Sequence, residues 1–100
     1  DGLMRAWQGD YAGAIRAFDQ AIESAPRLAP AYLNRGLAYR HSGDAGRALA
    51  DVDQAIRHAP GAAQGYYYRS LLLRERGDDR RADADRAHAI HLDPHYESAP

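Results

Sequence analysis

The feature that most constrains this chain is a period of 34 residues. Gly9-Asp10, Gly43-Asp44 and Gly77-Asp78 fall in register at that spacing, as do Ala14, Ala48 and Ala82, and Ala21, Ala55 and Ala89. Ile22, Ile56 and Ile90 follow the same rule, and so do Pro26, Pro60 and Pro94. A fixed period of this length marks stacked units, each of which buries its apolar face only against its neighbours. The central copy, 29–62, sets the frame; 1–28 is a truncated first copy, 63–96 a third, and 97–100 a tail. Asp1 falls partway through a copy, so the polypeptide is expected to begin further upstream.

Within a copy the apolar spacing is helical. Residues 11–24 place Tyr11, Ala14, Ile15, Phe18, Ala21 and Ile22 on one stripe, with Arg16, Asp19, Gln20 and Glu23 off it. In the central copy a helix over about 30–42 carries two adjacent stripes: Tyr32, Gly36 and Tyr39, and beside it Leu33, Leu37 and Arg40. A glycine inside a helix costs about 1 kcal/mol relative to alanine, so Gly36 implies a close approach by another helix. The second stripe is more apolar than a solvated face requires. Gly43 then suits a left-handed helix end and Asp44 an N-cap, opening a second helix striped by Ala45, Ala48, Leu49, Val52, Ala55 and Ile56. The prolines punctuate the copies, since each lacks an amide donor and steers its predecessor out of helical geometry.

The third copy has Tyr66, Ser70 and Leu73 on its first stripe, and Tyr67, Leu71 and Arg74 on its second, beside Gln64 and Tyr68. Its second helix is more polar, with Asp83 in the place of Leu49 and Arg86 in the place of Val52. A polar outer face of this kind is expected where an array ends. The other reading is a further helix packed there through salt bridges.

Charge and residue usage narrow the function. Thirteen basic residues against 14 acidic ones create no global field for nucleic acid or an anionic membrane. All the basic residues are Arg and alanine is abundant, which points to a bacterial source with GC-rich codons. Without Cys there is no disulfide, thiolate nucleophile or Cys-based zinc site. No apolar run approaches the roughly 18 residues of a membrane span, and no leader pattern opens the chain. A cytoplasmic location is favoured, although no residue assigns a compartment. His88, His91 and His95 with Asp93 are the one cluster with metal-like spacing, but Pro94 interrupts it, and exposed unliganded histidines near a helix end are expected. The run 74–86 holds five Arg and five acids and reads as a salt-bridged surface. No phosphate loop or nucleophile setting is present, so neither an enzyme nor a cofactor is expected.

The set Tyr32, Gly36, Tyr39, Ala48, Val52, Ala55 and Pro60 resembles the tetratricopeptide repeat, and the resemblance covers essentially the whole chain. Arg35, Arg69, Leu73 and Arg86 depart from the family's usual residues. The resemblance implies an all-α fold of antiparallel helix-turn-helix repeats stacked in a right-handed superhelix, an α-solenoid, as a single domain over 1–96. It also implies a non-enzymatic scaffold that holds a protein or peptide partner in a concave groove lined by the first helix of each pair. Carried over, that groove comprises Trp7, Leu33, Asn34, Leu37, Arg40, His41, Gln64, Tyr67, Tyr68, Leu71 and Arg74, with Leu3, Ala6 and Glu75 beside them. For Leu33, Leu37, Tyr67 and Leu71 the alternative is packing between neighbouring helices. The clamp that some members use for acidic chaperone tails is not matched: Asn34 agrees, whereas Leu3, Gln64 and Tyr68 replace its other residues. The alternative function is self-association into a homo-oligomer through exposed helix ends.

The matching alanines imply helix axes packed near the short end of the usual range of roughly 8–10 Å. Ala48→Leu is therefore expected to overpack and to lower stability by about 1–3 kcal/mol, read as a shift in urea midpoint at unchanged slope.

Overall fold

The computed structural model describes residues 2–3 and 9–99. Among them lie five α-helices: α1 (Tyr11–Ser24), α2 (Ala29–His41), α3 (Ala45–His58), α4 (Ala63–Glu75) and α5 (Asp79–Leu92). A 3₁₀ turn, Pro94–Ser98, follows, and the described residues include no strand. Trp7 and Ala6, both expected in the groove, lie outside the described residues.

The turns form for the reasons legible in the chain. Gly9, Gly43 and Gly77 adopt φ of +81°, +91° and +83°, a left-handed conformation that strains residues with a Cβ. The next residue caps the following helix each time. Asp10, Asp44 and Asp78 accept from the N–H of Gly13, Arg47 and Arg81 at 2.9, 3.1 and 3.3 Å. The connections between pairs are tied differently: the Tyr32 hydroxyl donates to the Pro26 carbonyl at 2.8 Å, and that of Tyr66 to Pro60 at 2.9 Å.

Helices pack in sequence order, α1 on α2, α2 on α3, α3 on α4 and α4 on α5, so that antiparallel pairs stack as a solenoid. Small residues set the spacing. A Cβ at Gly36 would stand 3.1 Å from the Ala48 carbonyl oxygen and 3.2 Å from Val52 Cγ2, so α2 and α3 meet almost backbone to backbone. Ala14, Ala48 and Ala82, one per copy, are wholly buried. One apolar cluster joins Leu33, Ala48, Val52, Ala55 and Leu72 across two pairs; a second joins Ala14, Phe18 and Ala38. Ala31, Ala38 and Leu72 fall on neither stripe read from the sequence, yet all are buried. The reason is topological: α2 and α4 each touch both their own partner and the helix of the preceding pair, so they bury residues on more than one side.

Arg35 and Arg69, which depart from the family's apolar preference, are held in a charged clasp that repeats every 34 residues. Arg35 donates from Nε and Nη2 to the two oxygens of buried Asp51 at 2.8 and 2.7 Å, and from Nη1 to Asp19 of the preceding copy at 2.9 Å. Arg69 does the same to Asp85 at 2.7 and 2.8 Å and to Asp53 at 3.2 Å. Hydrogen bonding to Asp51 and Asp85 holds both guanidinium groups above their ordinary pKa. Each clasp thus bridges a helix pair internally and to its predecessor. On the last helix, Asp83 is exposed and Arg86 is half-buried. Its Nη2 donates to the carbonyls of Glu97 and Ala99, both at 3.1 Å, folding the 3₁₀ turn against α5.

Arg35→Leu is expected to lower stability by about 3 kcal/mol, the low end for breaking a buried pair, because Asp51 is left uncompensated. Adding Asp51→Leu should recover most of that loss; urea unfolding of the single and double variants reads the difference directly.

Candidate functional site

The candidate groove is built on α2 and α4, the first helices of two successive pairs. Helical spacing aligns Asn34, Leu37 and His41 on one side of α2. They line a cavity of about 190 Å³ together with Leu3, Tyr11, Phe18 and Ala38. That volume is below the roughly 300–1,000 Å³ of small-molecule pockets and suits a single side-chain anchor. Leu37 remains half-buried, and His41 is exposed, with its ring stacked on Tyr11 at 5.3 Å. Tyr11, from the second helix of its pair, was not among the expected groove residues; a site read from first helices alone does not reveal it.

The second stripe divides in the structure. Leu33 belongs to the buried core, 8% exposed, because the next helix pair closes over it. Beside it, exposed Ala62 and Gln64 and buried Gly65 line a crevice of about 80 Å³ between the pairs. Leu33 is thus spent on packing, whereas Leu37, one turn further along α2, is not. Tyr67, at the equivalent place in α4, is covered in a comparable way by Tyr96 of the 3₁₀ turn, their rings 4.7 Å apart. Tyr68 meets Tyr67 edge-on at 5.3 Å and packs against the core. Burial pushes the Tyr96 hydroxyl pKa up. Leu71 stays half-buried.

The two arginines expected in the groove, Arg40 and Arg74, already have carboxylate partners. Arg40 Nε donates to Glu75 Oε1 at 2.6 Å, tying α2 to α4. Arg74 donates to Asp83 at 2.7 Å and sits 3.6 Å from Asp79, both on α5. Hydrogen bonding to Asp83 raises the Arg74 pKa. Elsewhere, the His88 and His91 rings lie 6.4 Å apart, and His95 pairs with Asp93 at 2.8 Å, holding that carboxyl below its ordinary pKa. No group of three or more His, Asp or Glu among the described residues is arranged to hold a metal ion. No described helix is long and apolar enough to cross a membrane.

Leu33→Ala should cost about 2–4 kcal/mol of stability by opening the core, while Leu37→Ala should cost under about 1 kcal/mol. Thermal melts of the two variants distinguish the packing leucine from the free one.

The family described as Tetratricopeptide repeat matches residues 7–61, more than half of the chain. No curated protein matches it. Among solved structures, the Arabidopsis OM64 TPR domain superposes with a TM-score of 0.90 at 22% identity, covering 94% of this chain and 78% of that one. The first TPR of Spaghetti (RPAP3), bound to the HSP90 peptide SRMEEVD, gives 0.89 at 22% identity, covering 93% and 74%. A MamA RS-1 double mutant gives 0.87 at 18% identity, covering 97% and 55%. At these identities the likeness is one of fold, and it agrees with the helix order, the glycine turns and the small-residue contacts described above. The chain belongs to the tetratricopeptide repeat family, whose fold is one of protein interaction.

Proposed function

We propose that this domain is a non-enzymatic scaffold that holds a peptide segment of a partner protein along the face formed by α2 and α4. The copies at 1–28, 29–62 and 63–96 together supply that face. The observation that carries the reading is Leu37: an apolar side chain that repeat-to-repeat packing leaves open, set in a cavity with Asn34 and His41. Leu71 extends the strip, half-buried on α4. An apolar strip of this spacing suits an extended or helical segment with apolar anchors, and Asn34 offers an amide to its backbone. The RPAP3 domain of the same fold was solved with a peptide bound, which supports peptide capture by this architecture.

A second reading is self-association. Leu3 is 61% exposed, beside a crevice of about 460 Å³ that Ala17, Phe18 and Ala21 also line. A second copy covering this apolar end would make a dimer. Light scattering over a concentration series separates the two readings, since a mass constant at the monomer value dismisses association.

The decisive test of the groove is capture from lysate by the wild-type domain beside Leu37→Glu, with circular dichroism confirming that the variant is folded. The expected result is a partner segment held by wild type and lost, at least tenfold in affinity, in Leu37→Glu. Equal capture by both would move the site to the convex face or the ends.

A further inference from the structure

The charges on this face are matched within the chain, and that arrangement selects the partner. Arg40 and Glu75 are 35 residues apart and come from different helices, so their 2.6 Å contact is made by the superhelix and not by local helical spacing. The second Glu75 oxygen lies 3.4 Å from the same Nε. Both Glu75 contacts go to Nε, and both side chains stay partly open, 31% and 46% exposed, so a ligand carboxylate that reached the outer nitrogens of Arg40 would stand beside Glu75. Arg74 is drawn off toward α5 by Asp83 and Asp79. Beside His41, whose ring stacks on Tyr11, what remains for a ligand is Asn34, Leu37 and Leu71.

Resting on the peptide-binding reading, we propose that Glu75 is a specificity-determining residue. Its carboxylate engages Arg40 Nε and offsets that residue's charge, so the face disfavours acidic peptides and accepts segments with uncharged, apolar anchors. The physical basis is twofold. Glu75 already offsets the positive charge that would draw an incoming carboxylate to Arg40. A carboxylate that does arrive also meets Glu75 as a like charge, a repulsive element that disfavours the wrong partner.

The acidic peptide SRMEEVD is a suitable probe, titrated by heteronuclear NMR into wild type, Glu75→Gln, Glu75→Gln/Arg40→Gln and the control Glu23→Gln. Glu23 is exposed on α1, and its substitution removes the same charge far from Arg40. The expected result is tighter binding by Glu75→Gln, about three- to tenfold over wild type, as the release of one exposed ion pair permits. Amide shifts should centre on Asn34, Leu37 and Leu71; the gain should vanish in the double variant and be absent in Glu23→Gln. Equal affinity in wild type and Glu75→Gln, including no binding by either, overturns the role of Glu75. So does a gain that survives Arg40→Gln or that Glu23→Gln reproduces. When such a failure comes with shifts on Asn34, Leu37 and Leu71, the groove reading stands and only the role of Glu75 falls; shifts confined to α3, α5 or the ends overturn both.

Discussion

The joint between successive helix pairs depends on a buried carboxylate. Asp51 is 5% exposed and Asp85 9%, and a lone charge at such a place is strongly disfavoured in the folded state. Arg35 and Arg69 resolve this by presenting one edge of the planar guanidinium to both oxygens while a third nitrogen reaches the preceding copy. A well-packed apolar pair would hold two helices together at least as well. What the clasp adds is direction: two parallel hydrogen bonds fix the angle of the guanidinium, and its remaining nitrogen fixes where the previous pair sits. The stacking of Arg35 over Tyr32 and of Arg69 over Tyr66, each at 5.7 Å, links this joint to the tyrosines that tether the proline connections.

Close contact between helices makes the clasp possible. Gly36 against Ala48 and Val52 draws α2 onto α3, which brings Asp51 of α3 within reach of Arg35, the residue just before Gly36 on α2. In the third copy Ser70 replaces Gly36; its hydroxyl donates to the Tyr67 carbonyl, so a small polar residue is buried without an unmet hydrogen bond. The same joint is therefore built twice with different residues. Its invariants are the small volume at that place and the Arg–Asp pairing.

The candidate face follows from what this packing consumes and what it leaves. A first helix in a solenoid has a partner on one side, a preceding pair on another and a following pair on a third, so most of its apolar residues are used. Leu33 and Leu72 are used; Leu37 and Leu71 are left partly open. Charge is treated in the same way. Arg40 receives Glu75 from the next helix pair, and Arg74 is held by Asp83 within its own pair.

The sequence by itself determined the helices, their ends and their order. Gly43 and Asp44 act through local backbone geometry, and Tyr32, Gly36, Ala48 and Val52 act between neighbouring segments, so the 34-residue period carries both kinds of information. The groove was legible only as a stripe: Leu33 and Leu37 lie one turn apart with the same chemistry, and nothing local says that the next pair covers the first and spares the second. Buried Ala38 and Leu72, and the pairing of Arg35 with Asp51 and Asp19, were likewise out of reach. Those partners lie 16 residues or more away along the chain, and only the tertiary structure, by setting the rotation of one pair on the next, decided which side chains meet.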